Sequence, residues 1–411
     1  MCIEVAADDD TRIFLDLGMP LYDDEGNDYP FDTPQRPTAE LLAEDILPSK
    51  ISGLYRTAAS APDVGAIFIT HSHLDHHGLA HHAHPDIPVY ASRGTVIMLT
   101  EVGRVFFPDA EIPADLRELS ESETADVGSL SVTALPVDHS APDSRAFLVE
   151  GDGQRLLYTG DLRAHGRTGF RFEKLLADPR VHGVDWLLHE ATTLGHGGDQ
   201  HGLSSEQDVE GELLALARNV PNKLVAVMSS GQNVDRLVSC YKAAYKSGRS
   251  LVIDPYQAFV LMQLAPLSPN IPQFTWDGVK IGFMHHQVEA LERAGLMDLA
   301  HEMGRQARVS STAVAAEPGR YLLCARGNYK NTKLLNKVGA DNVELVWSMW
   351  IGYWNRDRCM MRRWAEGNGV KMHPIHSGGH AWPQDIERLI AAVEPGEAIA
   401  VHTDTRVRDR S

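Results

Sequence analysis

The chain has 411 residues, 43% hydrophobic and 23% charged, and a formal net charge of −18. That length exceeds one small core and points to two domains, at roughly 100–200 residues each. The acid excess argues against a generally basic nucleic-acid coat, and no apolar run approaches the ~20 residues that span a bilayer.

The opening Met-Cys-Ile-Glu-Val-Ala has no basic stretch and no cleavage-site pattern, so a cytoplasmic location is expected, with no membrane partner. The four cysteines, Cys2, Cys240, Cys324 and Cys359, form no CxxC pair and are expected as buried, reduced thiols. Residues 22–44 are acidic with scattered prolines and read as a surface connection with a short helix at 39–43. From there to about 194 the pattern is mostly strand and turn. Short apolar runs rich in β-formers lie at 12–17, 66–70, 88–91, 130–135, 145–150, 155–159 and 186–188. Gly151-Asp152-Gly153 is a hairpin signal. After about 204 the texture changes. Helical spacing at 206–218 and 234–246 alternates with strands at 224–228 and 251–253, the pattern of a largely parallel sheet. A strand at 371–375, a helix at 384–393 and a strand at 398–401 close the chain. The expected organisation is a domain over 1–204, an inserted α/β domain over 205–364, and a return to the first over 365–411.

The strongest chemical signal is Thr70-His71-Ser72-His73-Leu74-Asp75-His76-His77-Gly78 at the end of a strand. Imidazole and carboxylate at this density suit zinc. Two ions ~3.5–4 Å apart can clamp a phosphoryl group and activate water. His139, Asp161 and His402 each follow an apolar run and would complete a pair of sites, with Asp161 as the bridge. His81, His82 and His84 lack that logic and are expected at the surface or behind the ligands, as are His165, His182, His196 and His201.

His71-Ser72-His73-Leu74-Asp75-His76 resembles the signature of the metallo-β-lactamase superfamily, and His139, Asp161 and His402 match its later ligand motifs. The residues around His139 and Asp161 resemble the β-CASP nucleases, ribonuclease J in particular. Glu190, His380 and His402 resemble the three extra motifs of that branch, and Ser229–Arg236 its strand-to-helix junction. The resemblance implies an αββα sandwich interrupted by a β-CASP-type domain. It also implies two zinc ions (or manganese) on His71, His73, Asp75, His76, His139, Asp161 and His402. Histidine at the third motif accompanies RNA-processing members, so the implied activity is phosphodiester cleavage of single-stranded RNA. Three features depart from the pattern: an edge strand expected before Cys2, an assembly domain expected after the last strand, and a lengthened Gly378-Gly379 loop. A homo-oligomer is a further expected partner.

The implied catalytic residues are Asp75, Glu190 and His380, with His380 protonating the departing oxygen. Glu190 either orients His380 or supports a zinc histidine. Ser377, Gly378 and Gly379 form either a phosphate cradle or a tight turn. Ser230 and Asn233 either bind phosphate at a helix start or simply cap it. A lactonase or thioesterase on the same core is the alternative, favoured by the acidic charge. A non-catalytic subunit that kept the fold is a third reading.

Overall fold

A computed structural model describes residues 1–23, 25, 27–49, 53–57, 62–194 and 204–402. The chain divides into two units: Met1–Ala164, Thr168–Gly198 and Gly379–Ser411 make the first, His165–Arg167 and Asp199–Gly378 the second.

In the first unit, β1 (Cys2–Ala6), β2 (Arg12–Leu17), β3 (Ala66–Ile69), β4 (Val89–Ala91) and β5 (Leu116–Glu118) form one sheet in that order. The second sheet contains β6 (Thr124–Val127), β7 (Leu130–Pro136), β8 (Arg145–Gly151), β9 (Gln154–Tyr158) and β10 (Trp186–Glu190). The period of two in these strands explains the layering. Ile13, Leu15, Ala66 and Phe68 meet Val132, Phe147, Val149 and Tyr158 in a core between the sheets. The intervening Phe14, Ile67 and Ile69 face the opposite way, into a cluster with Leu41, Ile46 and Leu79, and Leu17 joins them after Asp16, whose φ of 60° breaks the alternation. Likewise Leu135, Ala146, Leu148 and Leu157 turn outward onto Phe172, Leu175, Ile386 and Leu389. Helices therefore cover both outer faces, giving four layers. Two helical stretches fall where strand and turn are expected. Arg93–Phe106 is a continuous helical run with a π-helical middle, and Phe170–Leu176 is a short helix held by buried Phe172 and Leu175.

The second unit holds β11 (Leu224–Met228), β12 (Ser250–Ile253), β13 (Val279–Gly282), β14 (Arg308–Val309), β15 (Tyr321–Ala325), β16 (Val343–Trp347) and β17 (Met372–Pro374). They form a parallel sheet ordered β14-β13-β12-β15-β11-β16-β17. β11 is buried along its whole length, as a strand covered on both faces must be. Leu335 and Val338 of helix Tyr329–Val338 and Met361 and Trp364 of helix Met360–Gly367 pack into one cluster with β11, β15 and β16. These two helices thus cover the same face. The return expected at 365 comes later: β17 pairs with β16, which keeps the chain in the second unit as far as Gly378. The first unit then resumes with helix Pro383–Val393 and β18 (Glu397–Val401), which pairs in parallel with β10. None of the described helices is long and apolar enough to cross a membrane. Cys240 and Cys324 are buried, whereas Cys2 and Cys359 are only half-buried; all four are free thiols.

Candidate metal centre

Strand ends in the first unit present the candidate ligands. β3 ends at Ile69, and Thr70 and His71 follow; His73 precedes the one-turn helix Leu74–His77 that carries Asp75 and His76. His139 follows β7, Asp161 follows β9, and His402 follows β18 with φ 56°. Asp161 is aimed by Gly160, whose φ is +54° and where a Cβ would lie 2.7 Å from Thr70 Cγ2. A side chain there meets both strain and collision.

The seven expected ligands come together. His71, His73, His139 and Asp161 form one donor set, and Asp75, His76, Asp161 and His402 a second, with donor atoms in each within 4.8 Å of one another. Asp161 is the shared member. Its Oδ2 lies 3.7 Å from His71 Nε2, 3.3 Å from His76 Nε2 and 3.9 Å from His139 Nε2. Its Oδ1 lies 3.3 Å from His402 Nδ1. His71 Nε2 is 3.0 Å and His139 Nε2 3.2 Å from His73 Nδ1.

The donor set fits a pair of divalent cations. Among the described residues, His76 Nε2 and Asp161 Oδ1 are buried atoms that make no hydrogen bond. Leaving such atoms unsatisfied is costly unless something else binds them. The far side of the rings is fixed. His76 Nδ1–H donates to Asp16 at 2.7 Å, which leaves the Nε2 lone pair facing inward. His139 Nδ1–H donates to the Gly379 carbonyl at 2.6 Å, while the Nδ1 of His402 that faces Asp161 also lies 2.7 Å from Thr192 Oγ1.

Electrostatics agree. Burial and the neighbouring imidazoles His76 and His139 push His71 well below the ordinary histidine range, the neutral form a ligand needs. Burial, together with His73, does the same to His139. Burial opposes ionisation of Asp161, yet His402, His76 and His380 outweigh it and hold the carboxyl well below its usual range. Burial likewise favours a neutral His76, but Asp161, Asp16 and Asp75 overcome it and raise its imidazolium well above 6.5. Buried carboxylates thus surround His76, and a cation relieves that excess.

Beside the two sets stands a third group, Asp161, Glu190, His380 and His402. Glu190 ends β10. Its Oε2 lies 2.8 Å from His380 Nδ1, while its Oε1 accepts from the backbone N–H of Leu162 at 2.8 Å and of Ala381 at 3.2 Å. Of the two roles left open by the sequence, Glu190 therefore touches His380. Burial works against the His380 imidazolium, but Glu190 and Asp161 raise it to about 9.

The phosphate candidates divide. Ser230, Asn233, Ser377 and Gly378 belong to the second unit, and Gly379 to the first. Asn233 caps helix Val234–Lys246 by accepting from Arg236 N–H, and the exposed Ser230 hydroxyl accepts from Gln232 N–H. Ser377 is fully buried, with its carbonyl on Arg236. Gly378 and Gly379 offer carbonyls to His165 and His139, so histidine N–H groups occupy these acceptors. At Gly379 a Cβ would fall 2.7 Å from Ser140 Oγ.

His81 and His82 are not surface residues. Both are buried and donate from Nε2 to the Pro34 carbonyl, at 2.8 and 2.9 Å, away from the ligand sets. His182 is exposed and donates to Leu176, and His196 and His201 lie outside the described residues.

Asp16 is the residue that sequence reading missed. It is fully buried at the end of β2 with φ 60°. Besides His76, it accepts from Thr70 N–H at 2.7 Å and Tyr158 O–H at 2.7 Å. The available signal was an aspartate inside the apolar run Ile13-Phe14-Leu15-Asp16-Leu17.

Residues 48–225 match the family described as "Beta-lactamase superfamily domain". The chain carries a domain of the β-lactamase superfamily. In sequence it is ribonuclease J-like. It is 28% identical to "Ribonuclease J" of Sinorhizobium meliloti over 234 residues, 54% of this chain and 38% of that protein. It is 23% identical to "Ribonuclease J" of Corynebacterium glutamicum over 357 residues, 84% of this chain and 46% of that protein. It is 32% identical to "Ribonuclease TTHA0252" of Thermus thermophilus over 149 residues, 32% of each. The chain spans less than half the length of these curated relatives. Among solved structures, a protein of unknown function from Enterococcus faecalis V583 superposes with a TM-score of 0.75 at 21% identity. The match covers 98% of this chain and 90% of that one, and shows that the β-lactamase-type sandwich with its inserted α/β unit is a shared fold.

Proposed function

We propose that this chain is a two-metal phosphodiesterase that cleaves single-stranded RNA, with the second unit as a β-CASP-type domain. The observation that carries the reading is the sharing of Asp161 between two four-residue donor sets, with the Glu190–His380 pair beside it. Similarity to proteins named ribonuclease J supports the choice of RNA. His71, His73 and His139 would hold one ion, Asp75, His76 and His402 the other, with Asp161 common to both. Their nitrogen-rich character favours zinc. Bound divalent ions supply Lewis acidity toward a phosphoryl group and lower the pKa of water.

The chain's own residues supply the rest. Glu190 takes the Nδ1–H of His380, which leaves Nε2–H as the proton available to the site. Glu190, which touches the ring, favours its protonated form. As water oxygen bonds to phosphorus and the ester P–O bond breaks, His380 Nε2 gives its proton to the departing oxygen; the attacking water loses a proton to solvent, and solvent returns one to His380. The backbone N–H groups of Leu162 and Ala381 hold Glu190 in place for this.

The test is hydrolysis by metal-loaded protein of matched RNA and DNA oligonucleotides, alongside lactone and thioester panels, at one stated salt concentration. RNA cut faster than DNA, with metal content near two per chain, is the expected result. Rapid ester or lactone hydrolysis without nucleic-acid cleavage would transfer the site to a small-molecule hydrolase.

A further inference from the structure

β18 ends the second sheet of the first unit, where it pairs with β10 alone. Edge strands present a row of unpaired N–H and C=O groups, and charges, prolines or bulges ordinarily blunt them. The other edges follow that rule: β1 carries Glu4, β5 Arg117 and Glu118, β6 Asp126, β14 Arg308 and β17 Pro374. β18 has Glu397 at its start and then Ala398-Ile399-Ala400-Val401, with neither charge nor proline.

Pairing with β10 fixes which groups are open. Glu397 N–H donates to the Asp185 carbonyl, on the β10 side, at 2.9 Å. Backbone groups alternate along a strand, so those of Ile399 and Val401 turn the same way and those of Ala398 and Ala400 turn outward. These outward N–H and C=O groups have no partner among the described residues. Side chains alternate as well. Trp186, Leu188 and Val401 lie at the core between the sheets, and the register sets Ile399 on that face beside Leu188. Leu188 is buried, yet Ile399 is 36% exposed, so the apolar layer between the sheets ends uncovered at β18.

A second copy of this chain matches the opening. Two antiparallel β18 strands about a twofold axis at Ile399 set Ala398 opposite the partner's Ala400, and Ala400 opposite the partner's Ala398. Both are hydrogen-bonded pairs, which uses every outward group of the two residues. Ile399 then meets the partner's Ile399 in the closer, non-hydrogen-bonded position, with Cα atoms ~4.5 Å apart and β-branched side chains in contact. Glu397 falls opposite the partner's Val401. The two Glu397 residues stand roughly 14 Å apart, beyond the ~8 Å screening length at physiological salt. An axis at Glu397 would instead set two carboxylates face to face. We propose that β18 is a dimer interface, joining the second sheets of two copies into one continuous sheet. β18 runs directly into His402, so the pairing braces the strand that leads to a candidate ligand in each copy. Five residues make a small contact, which places the dimer in the micromolar class. The proposal asks nothing of the reaction proposed above.

Sedimentation equilibrium of the zinc-loaded chain, from about 1 to 200 µM, measures the association. A monomer–dimer equilibrium is expected. It should tighten as salt rises, because each copy carries −18 and salt screens their repulsion. Ala398→Pro removes an outward N–H and leaves the β10 bonds intact, while Ile399→Lys sets two like charges on the axis. Each should weaken the dimer roughly tenfold or more. Cysteine trapping reads the register. Ile399→Cys should form an intersubunit disulfide under oxidised glutathione at least about ten times faster than Ala398→Cys, whose own copy stands roughly 8 Å away, outside disulfide reach. The unsubstituted chain, with its four free thiols, is the blank. A wild-type chain that stays monomeric overturns the proposal, and so does one that only takes up an extended peptide of another protein. Dimers that neither substitution weakens, dimers that loosen with salt, or equal trapping at 398 and 399 overturn it too. If Ile399→Lys fails to fold, the trapping ratio still decides, since it needs only a thiol at an exposed position.

Discussion

In the first unit the ends of β3, β7, β9 and β18 bring buried imidazoles and carboxylates to one point, whereas in the second the ends of β15 and β16 carry exposed rings and cations. Strand ends build both edges, yet the demands on them are opposite. A metal centre needs lone pairs fixed in direction and stripped of water; the candidate ligands His76 and His139 are locked from behind by Asp16 and the Gly379 carbonyl, and the neighbouring His380 is held by Glu190. The second unit's rigidity sits deeper, where buried Arg236 joins Glu206 at 2.7 Å, the Ser348 carbonyl at 2.7 Å and the Ser377 carbonyl at 3.1 Å.

If that contrast holds, the sharpest break comes at the shared ligand. Asp161→Asn should release both ions together and reduce turnover by more than the ~10–100-fold that loss of an outer partner costs. Elemental analysis with parallel rate measurements checks this; retention of both metals would remove Asp161 from its bridging place. Next comes His380→Ala, which should keep its metals while turnover falls by ~10²–10⁴. Glu190→Gln should show a milder form of the same loss. Metal lost from the His380 variant would move that histidine into the ligand shell.

Asp16→Asn probes the layer behind the ligands. Its amide cannot accept as the carboxylate does from His76, Thr70 and Tyr158, so metal affinity should drop ~10–100-fold, read by competition with a chelating dye. In the second unit, Arg236→Met leaves Glu206 charged and buried and should cost about 3–5 kcal/mol in denaturant unfolding. Metal content of the first unit should not change; a loss there would mean that the two regions are not energetically separate.

The smallest effect is a pH dependence. Burial and the neighbouring His82 pull the His81 imidazolium down to about 4, and burial lowers that of His82 as well. Unfolded histidines take up protons near 6.5, so between those values the unfolded chain binds more protons than the folded one. Stability should therefore be full above about 6.5 and decline as the pH falls toward 4. His81→Gln should flatten that slope in chemical unfolding followed against pH, and an unchanged slope would clear His81 of the effect.

The sequence by itself settled what local chemistry can encode. Seven candidate ligands were legible because they gather at the ends of apolar runs, whereas Glu190 and His380 were reached only through the family motifs they resemble. The alternation of helix and strand after 204 announced the parallel sheet. Asp16 escaped because its partners, Thr70, His76 and Tyr158, are 54, 60 and 142 residues away. His81 and His82 escaped because nothing local shows that the Pro34 carbonyl waits above them. The helix Phe170–Leu176 was too short for its spacing to stand out, and β17 joined the second unit through pairing with β16 rather than through its own residues. The basic, aromatic edge was diluted in a charge of −18 until the sheet brought the loops after β15 and β16 to one side. Periodicity and motif are properties of neighbours along the chain. Burial, strand partners and the far side of a histidine ring are properties of neighbours in space, and only the folded chain decides them.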